Sequence, residues 1–147
     1  MFKRIVLAYD GTDHAKRAFD VAVELAVKFG STLDILHVVT HGHAPDEVAA
    51  FARAEQAGDP DQVELAADAA STLAPIAQRA KAKGIKQVNT VPTRGDPADE
   101  VVSYVKTSGA DLVVLGRRGL GRLGGILHGS VSAQIGGEID AAVLTVK

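Results

Sequence analysis

Glycine, arginine and serine are concentrated in one segment of the chain, GRRGLGRLGGILHGSVS, at residues 116–132. The segment holds six glycines and three arginines, and it directly follows DLVVL, an apolar run typical of a buried strand. Glycine allows the backbone to approach a phosphate without obstruction from a Cβ atom. Serine hydroxyls and the unpaired amides at a helix N-terminus donate hydrogen bonds to anions, and arginine offsets their charge. A segment of this composition can be a flexible linker, a crowded turn or a site for an anion, and the rest of the sequence has to decide among them.

Two common phosphate-binding motifs do not account for this segment. Residues 119–124 match GxGxxG, but a dinucleotide site also needs an acidic residue about 20 positions later, at the end of the second strand of a βαβ unit. Here Glu138 and Asp140 lie before the last strand. A P-loop needs a lysine followed by serine or threonine after its glycines, and this segment contains no lysine. A GxSxG nucleophile elbow does not occur in the sequence either.

Strands and helices that would position the segment alternate along the chain. Apolar runs predict strands at residues 4–10, 32–39, 87–91, 111–116 and 142–146. Helical spacing of apolar or alanine residues predicts helices over 15–29, 62–83 and 97–108. Residues 40–61 are polar and rich in turn-forming residues, so they predict a flexible insertion with one short helix over 46–56.

Individual residues mark the ends and breaks of these helices. Gly30 and Gly109 stand where C-caps belong, and Asp96 is a suitable N-cap followed by proline. Thr12 or Asp13 is expected to cap the first helix. Pro75 lacks an amide hydrogen, so it must kink or interrupt the helix predicted over 62–83.

This alternation predicts one α/β domain over residues 1–147. We expect right-handed βαβ crossovers and a doubly wound, mainly parallel, five-stranded sheet of order 3-2-1-4-5 with helices on both faces. In such a sheet the strand order reverses between strands 1 and 4, and ligands bind at the carboxyl ends beside that point. The residues there are Asp10, Gly11 and Thr12, together with the segment that starts at Gly116. The glycine-rich segment therefore lies where a ligand is expected.

A different subset of the glycines carries a family resemblance. Gly116, two residues, Gly119, nine residues and Gly129-Ser130 form the pattern G-x2-G-x9-G-[ST], which resembles the ATP-binding subgroup of the universal stress protein family. The blocks RIVLAYDGT, LHVV, GDPADEVV, DLVVLGRRG and GSVSAQI also resemble that family, in its order, across nearly all of the chain.

The resemblance implies a Rossmann-like fold of the adenine nucleotide alpha hydrolase type and a site for ATP, with Mg²⁺ bound only through the nucleotide. It implies that Asp10 lies near the ribose and that the backbone around Val38 holds adenine. It further implies a cytoplasmic stress-response regulator that acts as a dimeric switch with little or no turnover. The predicted nucleotide-binding residues are Ala8, Asp10, Gly11, Thr12, Val38, Gly116, Arg117, Arg118, Gly119, Gly129, Ser130, Val131 and Ser132.

Composition limits the partners of the protein. The net charge of −2 argues against binding to nucleic acid, and no apolar run approaches the roughly 20 residues of a membrane span. The chain has no cysteine, which excludes thiolate metal sites and a cysteine nucleophile. The N-terminal residues resemble a strand more than a signal peptide. The apolar strand at 143–146 should lie at a sheet edge, which favours pairing with a second copy, and an unidentified protein partner remains compatible with the sequence.

The sequence leaves other functions open besides the nucleotide switch. A slow ATPase, or a phosphotransferase that phosphorylates its own serine or threonine, is the main alternative. A receiver-type phosphoacceptor domain is disfavoured, because the acceptor position at the end of strand 3 holds Pro92. His41 and His43 form a weak candidate metal pair, whereas His37 lies within an apolar strand and is expected to be structural. His128 is expected either to contact a phosphate or to lead into the last helix.

Overall fold

The computed structural model describes residues 1–40, 58–117 and 130–147, together with the single positions 50 and 53. The strands are β1 (Arg4–Ala8), β2 (Thr32–Val39), β3 (Val88–Arg94), β4 (Leu112–Gly116) and β5 (Ala142–Val146). The α-helices with complete bounds are α1 (Asp13–Phe29), α2 (Pro60–Asp68), α3 (Ala74–Ala82), α4 (Pro97–Ser108) and α5 (Ser130–Glu138), and a π-helical segment (Ala69–Leu73) joins α2 to α3.

The five strands form one parallel sheet in the order β3-β2-β1-β4-β5. This confirms the predicted doubly wound topology, with the reversal of strand order between β1 and β4. In the register of the sheet, Leu7 of β1 lies between Ile35 of β2 and Val114 of β4. These three positions are completely buried, as expected for central strands covered on both faces.

Helices cover both faces of the sheet, and each face has its own apolar core. On one face α1, α3 and the π-helical segment pack on alternate residues of β1, β2 and β4, with Phe19 as the largest buried side chain. On the other face α4 and α5 contribute Val101 and Ile135, which pack against the remaining alternate residues. The predicted two-sided arrangement of helices is therefore confirmed.

The predicted helix caps are present in α1 and α4. The Thr12 hydroxyl accepts a hydrogen bond from the amide of Ala15, so Thr12 and not Asp13 is the N-cap of α1. The Asp96 carboxylate accepts from two first-turn amides of α4. Gly30 and Gly109 end these helices with φ values of 66° and 67°, a left-handed conformation that glycine adopts without steric cost.

Several predicted boundaries differ from the observed ones, and in the helical region after residue 58 the difference has a local cause. The helical region begins at Pro60 and not at residue 62, because the Asp59 carboxylate caps it by accepting from the Asp61 amide at 3.0 Å. The expected interruption near Pro75 is the π-helical segment, whose wide turn directly precedes the first turn of α3. Strand β1 ends at Ala8, two residues before the predicted end.

Strand β3 extends to Arg94 although Pro92 lies inside it, whereas the prediction ended this strand at residue 91. Proline cannot donate to a strand ladder, and it is tolerated within sheets mainly on edge strands. Strand β3 is an edge strand, so it tolerates Pro92. Most of the predicted insertion over 40–61, including the predicted helix at 46–56, lies outside the described residues, although positions 50 and 53 are helical.

Candidate functional site

The carboxyl ends of β1 and β4 bring two predicted site segments to the same edge of the sheet. Ala8 of β1 pairs with Leu115 of β4, so the residues that follow both strands leave the sheet side by side. Gly116, which ends β4, pairs with Val146 of β5, and the Arg117 amide continues this ladder by donating to the Val146 carbonyl at 2.7 Å. The Asp10–Thr12 turn and the start of the glycine-rich segment are thus adjacent.

Hydrogen bonds within the turn after β1 hold Asp10 in place. Its Oδ1 accepts from the Thr12 amide at 3.0 Å and from the Thr12 hydroxyl at 2.7 Å. Gly11 adopts φ 79°, which lets the chain turn tightly between them. Among the described residues, no donor occupies the second carboxylate oxygen of Asp10, and the side chain is half-buried. The turn therefore presents one fixed carboxylate oxygen at the sheet edge.

Packing explains why position 116 is glycine, and the motif alone did not indicate this. A Cβ atom at this position would lie 2.7 Å from the His14 carbonyl carbon and 2.9 Å from the Ala15 amide nitrogen, both in the first turn of α1. Atoms of a fixed backbone cannot absorb such an overlap. Glycine is required here because the end of β4 packs directly against the start of α1, and a contact with phosphate remains a prediction for this residue.

The end of β2 is tied to β1 and to α2 through His37. Its Nδ1 donates to the Tyr9 carbonyl at 2.7 Å, since a carbonyl oxygen only accepts, and its Nε2 lies 3.5 Å from Oδ1 of Asp68. Both ring nitrogens face protein groups, which agrees with the structural role expected for His37. The next residue, Val38, packs against the core on the α4 face, at the same carboxyl edge as Asp10.

Part of the predicted site lies in helix α5. The described part of this helix covers Ser130–Glu138, and partly exposed Ser132 lies two residues after Ser130. The fully buried Ile135 anchors the helix, and Gln134 donates to Asp99 of α4 at 3.2 Å. Further predicted residues lie outside the described part of the chain, namely Arg118, Gly119, Gly129, His41, His43 and His128, as do the side chains of Ser130 and Val131.

Two contacts beside this edge were not anticipated. Arg17 of α1 donates from Nε to the Lys147 carbonyl at 2.7 Å and from Nη2 to Nδ1 of His14 at 2.9 Å. These bonds join the exposed side of α1 to the end of β5. The spacing of His14 and Arg17 on one helix turn was visible in the sequence, but their partner lies 130 positions from Arg17.

A buried polar network lies between helix α4 and the sheet. Asp34, in the middle of β2, is completely buried. Its carboxylate accepts from Asn89 Nδ2 at 2.7 Å and from the Tyr104 hydroxyl at 3.0 Å, and the Arg4 guanidinium lies 3.7 Å away. A buried carboxylate persists only with such partners. The one acidic residue in the apolar run TLDILHVV was the only signal for this network in the sequence.

The network alters the acidity of Tyr104. Burial, and then the negative charge of Asp34, raise the pKa of the Tyr104 phenol to about 12 from its ordinary 10.0. Since the folded pKa lies above the unfolded one, the proton on Tyr104 stabilises the fold below pH 10. That contribution is lost as the pH rises from about 10 to about 12.

We therefore predict an alkaline phase in the tyrosinate absorbance of the folded protein. The chain has two tyrosines and no tryptophan, so a spectrophotometric titration at moderate temperature resolves them. One tyrosinate equivalent should appear only near pH 12, or together with alkaline unfolding monitored by circular dichroism. Tyr104→Phe should remove that phase, and its persistence in the variant would assign it to the other tyrosine.

In residues 1–40, 58–117 and 130–147, no three histidine or acidic side chains are grouped closely enough to hold a metal ion. Within the same ranges, no helix combines the length and the apolar character needed to cross a membrane.

Comparison with known proteins identifies the family of this chain. The sequence model of the universal stress protein family matches residues 1–147. The chain belongs to the universal stress protein family. A universal stress protein of Thermus aquaticus is 33% identical over 148 residues, and the match covers 100% of both chains. The resemblance inferred from the glycine pattern and the strand blocks is thereby confirmed at the level of the family.

Solved structures of universal stress proteins share the fold. The universal stress protein UspA from Lactobacillus plantarum has a TM-score of 0.74 at 23% identity, covering 99% of this chain and 97% of that one. At that identity the likeness shows the fold alone. A universal stress protein crystallised in complex with cAMP has a TM-score of 0.67 at 27% identity, covering 99% and 97% of the two chains.

Proposed function

We propose that this universal stress protein binds ATP and acts as a nucleotide-dependent dimeric switch with little or no turnover. The observation that carries the proposal is the adjacency of the Asp10–Thr12 turn and Gly116 at the point where the strand order reverses. From Gly116 the motif G-x2-G-x9-G-[ST] continues to Ser130. The family member crystallised with cAMP supports an adenine nucleotide as the ligand.

In this proposal the triphosphate binds between the end of β4 and the start of α5. Ser130 is the first described residue of helix α5, and the amides of this first turn are assigned the positive end of the helix dipole. Gly119 and Gly129 allow close approach of the backbone, and Arg117 and Arg118 offset part of the charge. Hydroxyls of Ser130 and Ser132 add donors, with Val131 contributing its amide. Mg²⁺ joins the site through the phosphates.

The nucleoside lies toward β1 and β2. Asp10 has one carboxylate oxygen held by Thr12, and the second oxygen is assigned to a ribose hydroxyl. Ala8 and Gly11 flank that contact. The backbone around Val38 is assigned to adenine, and the hydrogen bond from His37 to the Tyr9 carbonyl keeps the ends of β1 and β2 together.

Slow or absent turnover is inferred from the acidic groups of the β1–α1 turn. One carboxylate oxygen of Asp10 is held by Thr12 and the other is assigned to the ribose, and Asp13 is 82% exposed and forms an ion pair with Lys16 at 3.2 Å. The sequence offers no evident general base and no full set of Mg²⁺ ligands, which supports binding without turnover. The alternative is a slow ATPase or a phosphotransferase acting on a local serine or threonine. A timed assay separates the two functions, because ATP stays intact for hours with the switch and declines steadily with the enzyme.

Dimerisation is proposed through β5, the edge strand at the end of the sheet opposite β3. The two sheet edges differ in chemistry, because β3 carries Pro92, which cannot donate a ladder hydrogen bond, and β5 contains no proline. Val143, Leu144 and Val146 of β5 are only partly buried within one chain. Pairing of two β5 strands would bury these side chains and join the two nucleotide sites through a cytoplasmic dimer, which then presents its surface to a protein partner.

The decisive experiment measures ATP binding by calorimetry with Mg²⁺, after removal of any copurified nucleotide detected near 260 nm. Gly129→Asp should abolish binding and leave the fold intact, because it places a Cβ atom and a carboxylate against the phosphates. Gly137→Asp introduces the same side chain later in α5, where a Cβ atom meets no atom within 4 Å, and it should retain affinity. Absence of binding by the parent protein at millimolar ATP, or equal affinity of both variants, would refute the assigned site.

A further inference from the structure

A small pocket lies between helix α4 and the edge strand β3, and it shares no residue with the proposed nucleotide site. Its volume is about 200 Å³. The apolar side chains of Leu36, Val91 and Pro92 line it from the sheet. It is smaller than the sites of about 300–1,000 Å³ that accept drug-sized ligands or nucleotides.

One carboxylate is held in this pocket by two features of β3 and the turn after it. Glu100, in the first turn of α4, accepts a hydrogen bond through Oε2 from the Thr93 hydroxyl at 2.6 Å. Gly95 has φ 149°, and a Cβ atom there would lie 2.7 Å from Oε1 of Glu100. Glycine at this position therefore leaves the space that the carboxylate occupies.

The charge of Glu100 is not neutralised by the described parts of the protein. Among the described residues, no lysine, arginine or histidine forms an ion pair with Glu100. The neighbouring cation on β3, Arg94, instead pairs with Glu64 and Asp61 of α2. A partly buried carboxylate beside an apolar floor attracts a cation from solution and repels anions.

Tyr104 forms a rigid part of the pocket lining. Its hydroxyl donates to the completely buried Asp34 at 3.0 Å, which fixes the position of the ring next to the pocket. Aromatic rings attract ammonium groups through their quadrupole. Ser103 and Thr107, on the same side of α4, add hydroxyl oxygens that accept hydrogen bonds from an ammonium ion.

We propose that this pocket binds a small organic cation, a primary ammonium ion carrying a short alkyl chain. The ammonium group pairs with Glu100 beside the ring of Tyr104, and the alkyl chain covers the apolar surface of Val91 and Pro92, which are partly exposed. The volume fits a chain of a few carbons. The proposal does not depend on the nucleotide-binding function, because it uses none of the residues assigned to that function.

The test is a titration of the isotopically labelled, nucleotide-free protein with butylammonium chloride, followed by amide chemical shifts in NMR. Sodium chloride at equal ionic strength is the reference. Saturable shifts are expected at Thr93, Glu100 and Tyr104. Butanol, which has nearly the same shape without the charge, should bind at least tenfold more weakly.

Glu100→Gln should weaken butylammonium binding at least tenfold while its spectrum retains the dispersion of a folded protein. Asp99→Asn is the matched control, since it removes one negative charge from the adjacent position of α4, outside the pocket. It should leave binding within twofold of the parent. Shifts that do not saturate, equal binding of butanol, or equal losses in the two variants would each overturn the proposal, and the butanol comparison holds even if Glu100→Gln fails to fold.

Discussion

Gly116→Ala is expected to lower the free energy of unfolding by about 1–3 kcal/mol, the usual cost of forcing an extra methyl group into a packed interior. The added Cβ would meet backbone atoms of His14 and Ala15 at 2.7 and 2.9 Å, so α1 must move away from β4. Since the Asp10 turn is held by Thr12, which also caps α1, the displacement reaches the proposed ribose contact. ATP affinity should therefore fall together with stability.

Gly136→Ala is the matched control for this substitution. Gly136 lies inside helix α5, and a Cβ atom there has Val143 Cγ2 at 3.9 Å as its nearest neighbour, an ordinary contact. Alanine in a helix interior is favoured over glycine by about 0.5–1 kcal/mol, so this variant should be at least as stable as the parent. Urea denaturation measures the free energy of unfolding of both variants. Equal values would show that the packing of β4 against α1 tolerates a side chain.

The parts of the fold that were predicted correctly depend on local signals. Thr12, Asp96, Gly30 and Gly109 act on residues within four positions of themselves, so their roles as caps are visible in short stretches of sequence. The sheet order followed from the alternation of apolar strands with helices, because right-handed crossovers leave few arrangements. These signals also placed Asp10 and Gly116 at the same edge.

The features that were missed depend on partners distant in sequence. The steric need for Gly116 arises from α1, about a hundred positions earlier in the chain. Asp34 is an acidic residue in an apolar strand, but its hydrogen-bond donors lie 55 and 70 positions away in the sequence. Glu100 lies close to a helix N-terminus in the sequence, and only its packing beside Thr93 and Gly95 shows a pocket. Periodicity identifies the face on which a residue lies, not the side chain that it meets.

Asp34→Ala is expected to cause the largest loss of stability among the substitutions considered, about 3–5 kcal/mol, the range for breaking a buried charged group away from its partners. The variant leaves a cavity at a position with no exposure and removes the acceptor for the Asn89 amide and the Tyr104 hydroxyl. The Arg4 guanidinium, one-third exposed, keeps a contact with water and with the Ser108 carbonyl, which places the loss nearer the lower value.

The comparison that tests this account is Asp13→Ala, which removes a carboxylate that is 82% exposed and should change stability by no more than about 1 kcal/mol. Asp34→Asn should fall between the two, because the amide retains one acceptor but turns a donor toward Asn89 or Tyr104. In Asp34→Ala the Tyr104 phenol should also ionise at lower pH, since it loses the negative charge beside it. If urea denaturation gives similar losses for Asp34→Ala and Asp13→Ala, the buried carboxylate contributes no more to the fold than a surface one.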